Sequence, residues 1–565
     1  MNTEINGVVL IILLIFILAY PLGKYMSKVF KGEKVWSDFL SPLENFVFRI
    51  CKINPSESMD WKENMKAMLR LNLIFFIWAI IILMIQGGIT IWNPVKIGNM
   101  AAALAYNTAA SFTSNTNLQH YSGETGLSYF SQLLVVGFLQ FVSAATGVAA
   151  MALLFKGIVQ KKATDLGNFY NLFLKSCTRI FLPLAFVVAL ILLLNGTPTT
   201  FHGLYTVHTL EGDTVQVATG PVAPVVSIKQ LGTNGGGFFG PNSSHPFENA
   251  NYLTNIVENI CILLIPAGLV FAFGFYVKKK KLAWIFFSVM LVVYIVFVAS
   301  AVHLERAGNP DIAKLGISQP MGSMEGKEVR FGPAASALWG VSTTCTSNGS
   351  VNAMHDSFTA LSGGIFMLDM MINSIFGGVG VGFINFFMFV VIAVFIAGLM
   401  IGRTPEFLGK KIESREVKIA ALVILLHPFL ILVGTALGTY LETLHPNNGW
   451  LNNPSFHGFS EMLYQFSSAA ANNGSGFEGL GYNIGLFWNI ATGTVMLIGR
   501  YIPIIGPIAI AGSLASKKTV PESEGTLKVD TVAFGVVLFG VLVVVAALSF
   551  FPALTLGPIA EFFSM

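Results

Sequence analysis

Ten apolar stretches long enough to cross a lipid bilayer recur along this 565-residue chain, near residues 1–23, 71–91, 128–155, 176–195, 252–277, 282–302, 365–402, 419–440, 484–514 and 528–550. A helix needs about 20 apolar residues to span the hydrocarbon core of a bilayer. Within lipid, each backbone N–H and C=O must be satisfied inside the protein, which leaves helices or closed barrels. Runs of this length specify an all-α integral membrane protein. Composition agrees, with 54% hydrophobic and only 11% charged residues, outside the range of a soluble domain. Cys51, Cys177, Cys261 and Cys345 form no CxxC pair and no metal-ligand spacing, so neither a disulfide framework nor a zinc site is indicated.

Basic residues orient the spans. They cluster at Lys24, Lys28, Lys31 and Lys34, at Lys156, Lys161 and Lys162, at Lys278 to Lys281, at Arg403, Lys410, Lys411 and Arg415, and at Lys517 and Lys518. These are alternate linkers, and basic linkers are retained in the cytoplasm. Both termini are therefore expected outside. The first stretch carries Glu4 instead of a basic n-region and is followed by no small-residue cleavage site, so it reads as an uncleaved first helix. The outer linkers are rich in Gly, Asn, Ser and Thr, with scattered basic residues such as Lys96, Lys229 and Arg306.

Four short polar stretches in those outer linkers align: TSNTNLQ, GTNGGGFF, CTSNGSV and ANNGSGF. Their three-residue cores are Asn115-Thr116-Asn117, Thr233-Asn234-Gly235, Ser347-Asn348-Gly349 and Asn472-Asn473-Gly474. Short apolar or small-residue runs at 100–112, 335–343 and 462–470 precede three of them. These runs are too short to cross the membrane and suit re-entrant half-helices, whose irregular backbone is tolerated only in a protein interior or along a watery cavity. The chain is thus expected to hold four tandem membrane-pore loop-membrane repeats with one extra helix at each end. The expected division is a first helix and cytoplasmic linker at 1–70, repeats at 71–160, 161–280, 281–415 and 416–520, and a last helix at 521–565.

A dehydrated cation needs oxygen ligands, and backbone carbonyls converge on one only with dihedrals that include positive φ, which glycine adopts at little cost. Three cores end in Gly and the fourth in Asn117, a residue type tolerant of that region. No core contains an acid, so the ligands are neutral dipoles, suited to a weakly hydrated monovalent ion. Glu124, Glu248, Asp356 and Glu478 follow the cores, one each, and are expected to concentrate cations at the outer mouth. His120, His245 and His355 lack metal-ligand spacing and read as hydrogen-bonding loop residues. Arg500 lies inside an apolar span, where charge is functional by default; it is expected to repel cations and prevent leakage. GGVGVG at 377–382 divides a span too long for one crossing, so Gly377, Gly378 and Gly380 are expected in an unwound inner-gate segment below the third core. TNGGGFF is no phosphate loop, since no GK[ST] follows.

GPVAPVVSIKQLGTNGGGFFGPNSSHPFENAN, SNGSVNAMHDSF, FGGVGVG and SSAAANNGSGFEGL closely resemble the potassium-binding A subunit of Kdp-type potassium-transporting ATPases, over essentially the full length. The resemblance implies a bacterial or archaeal cell-membrane subunit that selects potassium at a filter formed by the four cores. The ion then passes through an intramembrane tunnel, near the glycine break and Arg500, to a separate P-type ATPase catalytic B subunit. A C subunit and a single-helix F subunit complete the implied complex. Asn348 departs from the Cys common in the family, and Asn373 from an acid carried by some members. With no DKTG or P-loop motif and short cytoplasmic linkers, the chain is expected to bind potassium but no ATP, and to be non-catalytic by itself. The alternative is a stand-alone potassium or sodium transporter driven by membrane potential. Such proteins generally have eight spans. A membrane enzyme is disfavoured, because no nucleophile–base pair or metal cluster is present.

Overall fold

A computed structural model describes residues 3–446, 448–481, 484–521 and 527–564. The expected terminal segments 1–70 and 521–565 thus include residues 1, 2, 522–526 and 565, which lie outside the described residues, as do 447, 482 and 483 of the expected fourth repeat. Among the described residues ten helices are long and apolar enough to cross a membrane, from Glu4–Lys31 to Val532–Leu556.

The eight middle spans form four repeats of one pattern: a span, a short helix, a loop, and a returning span. The short helices are Ala102–Thr113, Val222–Leu231, Gly332–Cys345 and Ser455–Ala470. Each stops two residues before its polar core. The second was not legible as a half-helix, because Pro224 and Lys229 interrupt its apolar character. Pro224 falls early in the helix, where a missing N–H matters least.

In the third repeat the long apolar stretch is two helices, Ala360–Ile372 and Val381–Ile401. Asn373 ends the first in a left-handed conformation with φ +47°. Gly377 and Gly380 continue the break at φ +63° and +79°, and a Cβ on Gly380 would overlap the Gly147 carbonyl.

Returning spans fill the centre. Tyr129–Val159 and Tyr252–Tyr276 are mostly buried, whereas the first and last spans bury only about a quarter of their residues within the protein. The first helix packs along Tyr252–Tyr276, where a Cβ on Gly23 would come within 2.7 Å of the Phe271 side chain. Small residues at such crossings let helices approach where lipid supplies no hydrophobic drive. A capping box opens the second span, with Asp60 accepting from Glu63 N and Glu63 accepting from Asp60 N, both at 2.8 Å. The all-α pattern is interrupted by small two-stranded pieces, the largest an outer hairpin pairing Leu204–His208 with Thr214–Ala218.

Candidate ion-binding site

Each short helix ends at a polar core, so four helix C-termini, the negative ends of their dipoles, point at one place. The first residue of each core has positive φ: Asn115 +66°, Thr233 +45°, Ser347 +49° and Asn472 +54°. So has the third: Asn117 +57°, Gly235 +81°, Gly349 +91° and Gly474 +98°. The middle residues Thr116, Asn234, Asn348 and Asn473 do not. Alternation of left- and right-handed dihedrals turns neighbouring N–H groups to one side of the chain and C=O groups to the other.

The cores are arranged in a closed ring in chain order. A Cβ built on Gly235 would overlap the Asn348 carbonyl, one on Gly349 the Asn473 carbonyl, and one on Gly474 the Thr116 carbonyl. The remaining junction is made by side chains: Asn115 Nδ2 donates to the Gly232 and Thr233 carbonyls at 3.1 and 2.9 Å, and Asn234 Nδ2 donates to Asn115 Oδ1 at 2.7 Å.

Around the ring the bracing repeats. Asn348 Nδ2 donates to the Lys229 carbonyl at 3.2 Å and Asn473 Nδ2 to the equivalent Thr343 carbonyl at 2.7 Å. Gly349 N donates to Thr343 Oγ1 and Gly474 N to Ser468 Oγ, at 2.8 and 2.9 Å. Asn472 Nδ2 reaches Thr116 Oγ1 at 3.0 Å. Asn117, only 2% exposed, has no partner for either side-chain polar atom among the described residues.

The glycine break lies directly against this ring. Val379 N donates to Thr233 Oγ1 at 2.9 Å, Gly377 N to the Cys345 carbonyl at 2.9 Å, and Ser347 Oγ to Asn373 Oδ1 at 2.9 Å. Gly378 differs from its neighbours: a Cβ there would meet nothing nearer than Ser347 Cβ at 3.6 Å, with Arg500 Nη1 at 3.8 Å. Arg500 is 3% exposed and donates from Nη2 to the Ser143 carbonyl at 3.3 Å. Ser143 Oγ in turn donates to Asn115 Oδ1 at 2.8 Å. The guanidinium therefore connects the ring's underside to the break. Beside them Asn373, Asn385, His427, Gly499 and Pro503 line a recess bordered by the last helix.

Of the four acids after the cores, Glu248 and Asp356 are buried and held within the protein, away from the expected outer mouth. Glu248 is completely buried and paired with Lys229, itself buried in the second short helix. Lys229 Nζ also donates to Asn242 Oδ1 at 2.7 Å, and Asn242 Nδ2 donates to the Gly235 carbonyl at 2.7 Å. Asp356 is held by His457 Nε2 at 2.7 Å and Asn453 Nδ2 at 3.1 Å. Glu124 accepts from Gly240 N at 2.8 Å, while Glu478 remains exposed. A carboxylate engaged in this way supports loop geometry more than it attracts ions. The histidines are hydrogen-bonded or stacked: His120 Nδ1 lies 3.0 Å from Asn489 Oδ1, His355 Nδ1 2.7 Å from the Tyr464 hydroxyl, and His245 stacks on Phe239. Burial lowers His120 to about 4 and His355 to about 3, so both are neutral at pH 7.

Among the buried carboxylates absent from the candidates drawn from the sequence, two lie beside the loops and the break. Glu258 accepts from Gln230 Nε2 at 2.8 Å, and Gln230 Oε1 accepts from Ser350 Oγ at 2.9 Å, a chain leading from the fifth span to the third loop. Asp369 accepts from Thr344 Oγ1 at 3.0 Å, one turn before the break. Lone acids inside apolar runs are the signal that marks them.

Residues 9–563 match the family model of the potassium-transporting ATPase A subunit. The chain belongs to this family. It is 56% identical over 570 residues to the potassium-transporting ATPase potassium-binding subunit of Parabacteroides distasonis, with all of both chains covered. To the subunit of the same name from Geobacillus kaustophilus it is 47% identical, with 98% of each covered. Among solved structures, the potassium transporter TrkH from Vibrio parahaemolyticus is similar in fold, with a TM-score of 0.53 at 13% identity, covering 90% of this chain and 98% of that one. This family membership places the loop ring in an A subunit with ten membrane spans.

Proposed function

We propose that the chain is the potassium-selecting subunit of an ATP-driven uptake complex, and that the ring of four cores is its filter. The observation that carries this reading is the closed ring of alternating-handed backbone, with four helix C-termini directed at it and no acid in any core. Neutral carbonyl dipoles in such a ring replace the hydration shell of a weakly hydrated cation, and the helix ends favour positive charge there. The unpartnered Asn117 amide supports a polar, occupied interior.

Below the ring, Arg500 sets an electrostatic barrier beside the glycine break, with Gly378 between the guanidinium and the third core. An ion passing this point enters the recess at Asn373 and Asn385 and leaves sideways toward a partner P-type ATPase subunit, B, with C and F subunits completing the assembly. The protein lies in a bacterial or archaeal cell membrane with both termini outside. Reporter fusions at 278–281 and 410–418 will both report the cytoplasmic side; a split result overturns this topology.

The deciding experiment reconstitutes the chain in liposomes with and without that partner. Uphill potassium accumulation should require the partner and ATP. Accumulation by the chain alone under membrane potential would establish the stand-alone transporter instead.

A further inference from the structure

Three phenylalanines meet inside the molecule, one from each of three returning spans: Phe155 of Tyr129–Val159, Phe273 of Tyr252–Tyr276 and Phe383 of Val381–Ile401. Their ring centroids lie 5.3 Å apart for Phe155 and Phe273, 5.2 Å for Phe155 and Phe383, and 5.0 Å for Phe273 and Phe383. None is more than 2% exposed. Phe155 and Phe273 hold the same place in their repeats, each 38 residues after the last residue of its core. Because the cores follow one another around the ring in chain order, the first and third repeats face each other across its axis. The edge-to-face contact of Phe155 with Phe383, at 84°, therefore crosses that axis, and Phe273 fills the side between them. Along its helix Phe155 comes 12 residues after Ser143, which touches the ring, a rise of about 18 Å at 1.5 Å per residue. The crossing is a separate layer, beyond Gly147, where the glycine break and Arg500 lie.

We propose that these rings are an apolar seal that closes the repeat axis toward the end carrying the basic linkers, so that the ion turns aside into the recess at Asn373 and Asn385. The inference rests on the ring of cores being the filter. A cation between the phenyl rings meets no oxygen from their side chains, and a hydrophobic constriction stops ions by excluding water. Arg500 opposes cations by charge at the break; the rings oppose them by dryness beyond it. A hairpin backs the seal on its far side. In it Phe407 stacks on Phe273 at 6.5 Å and meets Phe387 edge-on at 5.3 Å. Lys410 of the same hairpin is 1% exposed and donates from Nζ to the carbonyls of Gly157 and Leu514 at 2.9 and 2.6 Å, and to that of Gln160. Those carbonyls lie at the ends of the first and fourth returning spans. The linker that follows the third repeat is thereby pinned across the axis to the first and fourth.

The full-length chain is reconstituted alone in liposomes, and passive uptake of radioactive rubidium and sodium is measured. Wild type should be tight to both ions. Phe155→Ser/Phe383→Ser lets water into the layer and should raise rubidium uptake about tenfold and sodium uptake by less than about twofold, because ions still pass the ring. Phe155→Leu/Phe383→Leu keeps the layer apolar and should stay tight. If the double serine variant does not fold, Phe383→Ser alone decides, with an expected rise of about threefold. Potassium-dependent thermal stabilisation, measured on each variant, reports whether the ring is intact. Unchanged rubidium uptake in a serine variant that keeps this stabilisation overturns the seal and leaves the filter standing. Equal uptake of both ions, or an equal leak in the leucine variant, also overturns the seal. A wild type without potassium-dependent stabilisation contradicts the filter itself, and the seal that rests on it falls too.

Discussion

Gly474 and Thr116, at the two ends of the repeat series, lie in direct backbone contact: a methyl group on residue 474 would overlap the Thr116 carbonyl oxygen. This contact closes the ring. Because the φ of +98° at Gly474 is also costly for any other residue, Gly474→Ala faces both strain of about 1–3 kcal/mol and a displaced carbonyl. Potassium affinity is expected to fall at least tenfold, measured by ion-dependent thermal stabilisation. Gly378→Ala, where the Cβ has room and φ is not positive, should stay within about twofold of wild type on the same reasoning.

Lys229 and Glu248 form a pair with no solvent exposure. Removing one partner of a buried pair leaves the other charge uncompensated, at about 3–5 kcal/mol. Lys229→Met should strongly lower the unfolding temperature in detergent, and Lys229→Met/Glu248→Gln should recover part of the loss. Equal stability of the single and double variants would contradict the pairing.

His457 joins the outer end of the fourth short helix to two carboxylates, Asp356 through Nε2 and Glu561 through Nδ1, each at 2.7 Å. Burial alone would lower its pKa; the hydrogen bonds and charges of Asp356 and Glu561 raise it to about 10. Since the free imidazole titrates near about 6.5, the fold binds this proton more tightly than the unfolded chain. The stabilisation is complete below about pH 6.5 and fades as pH rises toward about 10. Thermal unfolding from pH 6 to 10 should show this loss, and His457→Phe should flatten it.

Arg500 contacts the Ser143 carbonyl and borders Gly378. Arg500→Gln is expected to raise passive potassium flux through liposomes or to uncouple ATP hydrolysis from transport. Unchanged flux and coupling would remove the residue from the ion path.

The spans were legible because apolar runs of bilayer length have few alternative folds, and the cores because Asn and Gly recur at matching places in four linkers. Less was legible where pairing, not pattern, decides. Lys229 and Glu248 each look like solvated loop charges, and only the fold brings together residues 19 positions apart into one buried contact. Positive φ was readable at Gly235, Gly349 and Gly474 but not at Thr233 or Ser347, whose side chains ordinarily avoid it. There the neighbouring loops hold the backbone.

A filter formed by the four cores requires the ion to sit inside their ring. Crystals of the complex soaked in rubidium or thallium, which substitute for potassium and scatter anomalously, should show density on the axis enclosed by residues 115–117, 233–235, 347–349 and 472–474, and lose it in Gly474→Ala. A ring empty of ions in wild-type crystals that transport-competent protein has formed, with density elsewhere along the chain, would contradict the filter.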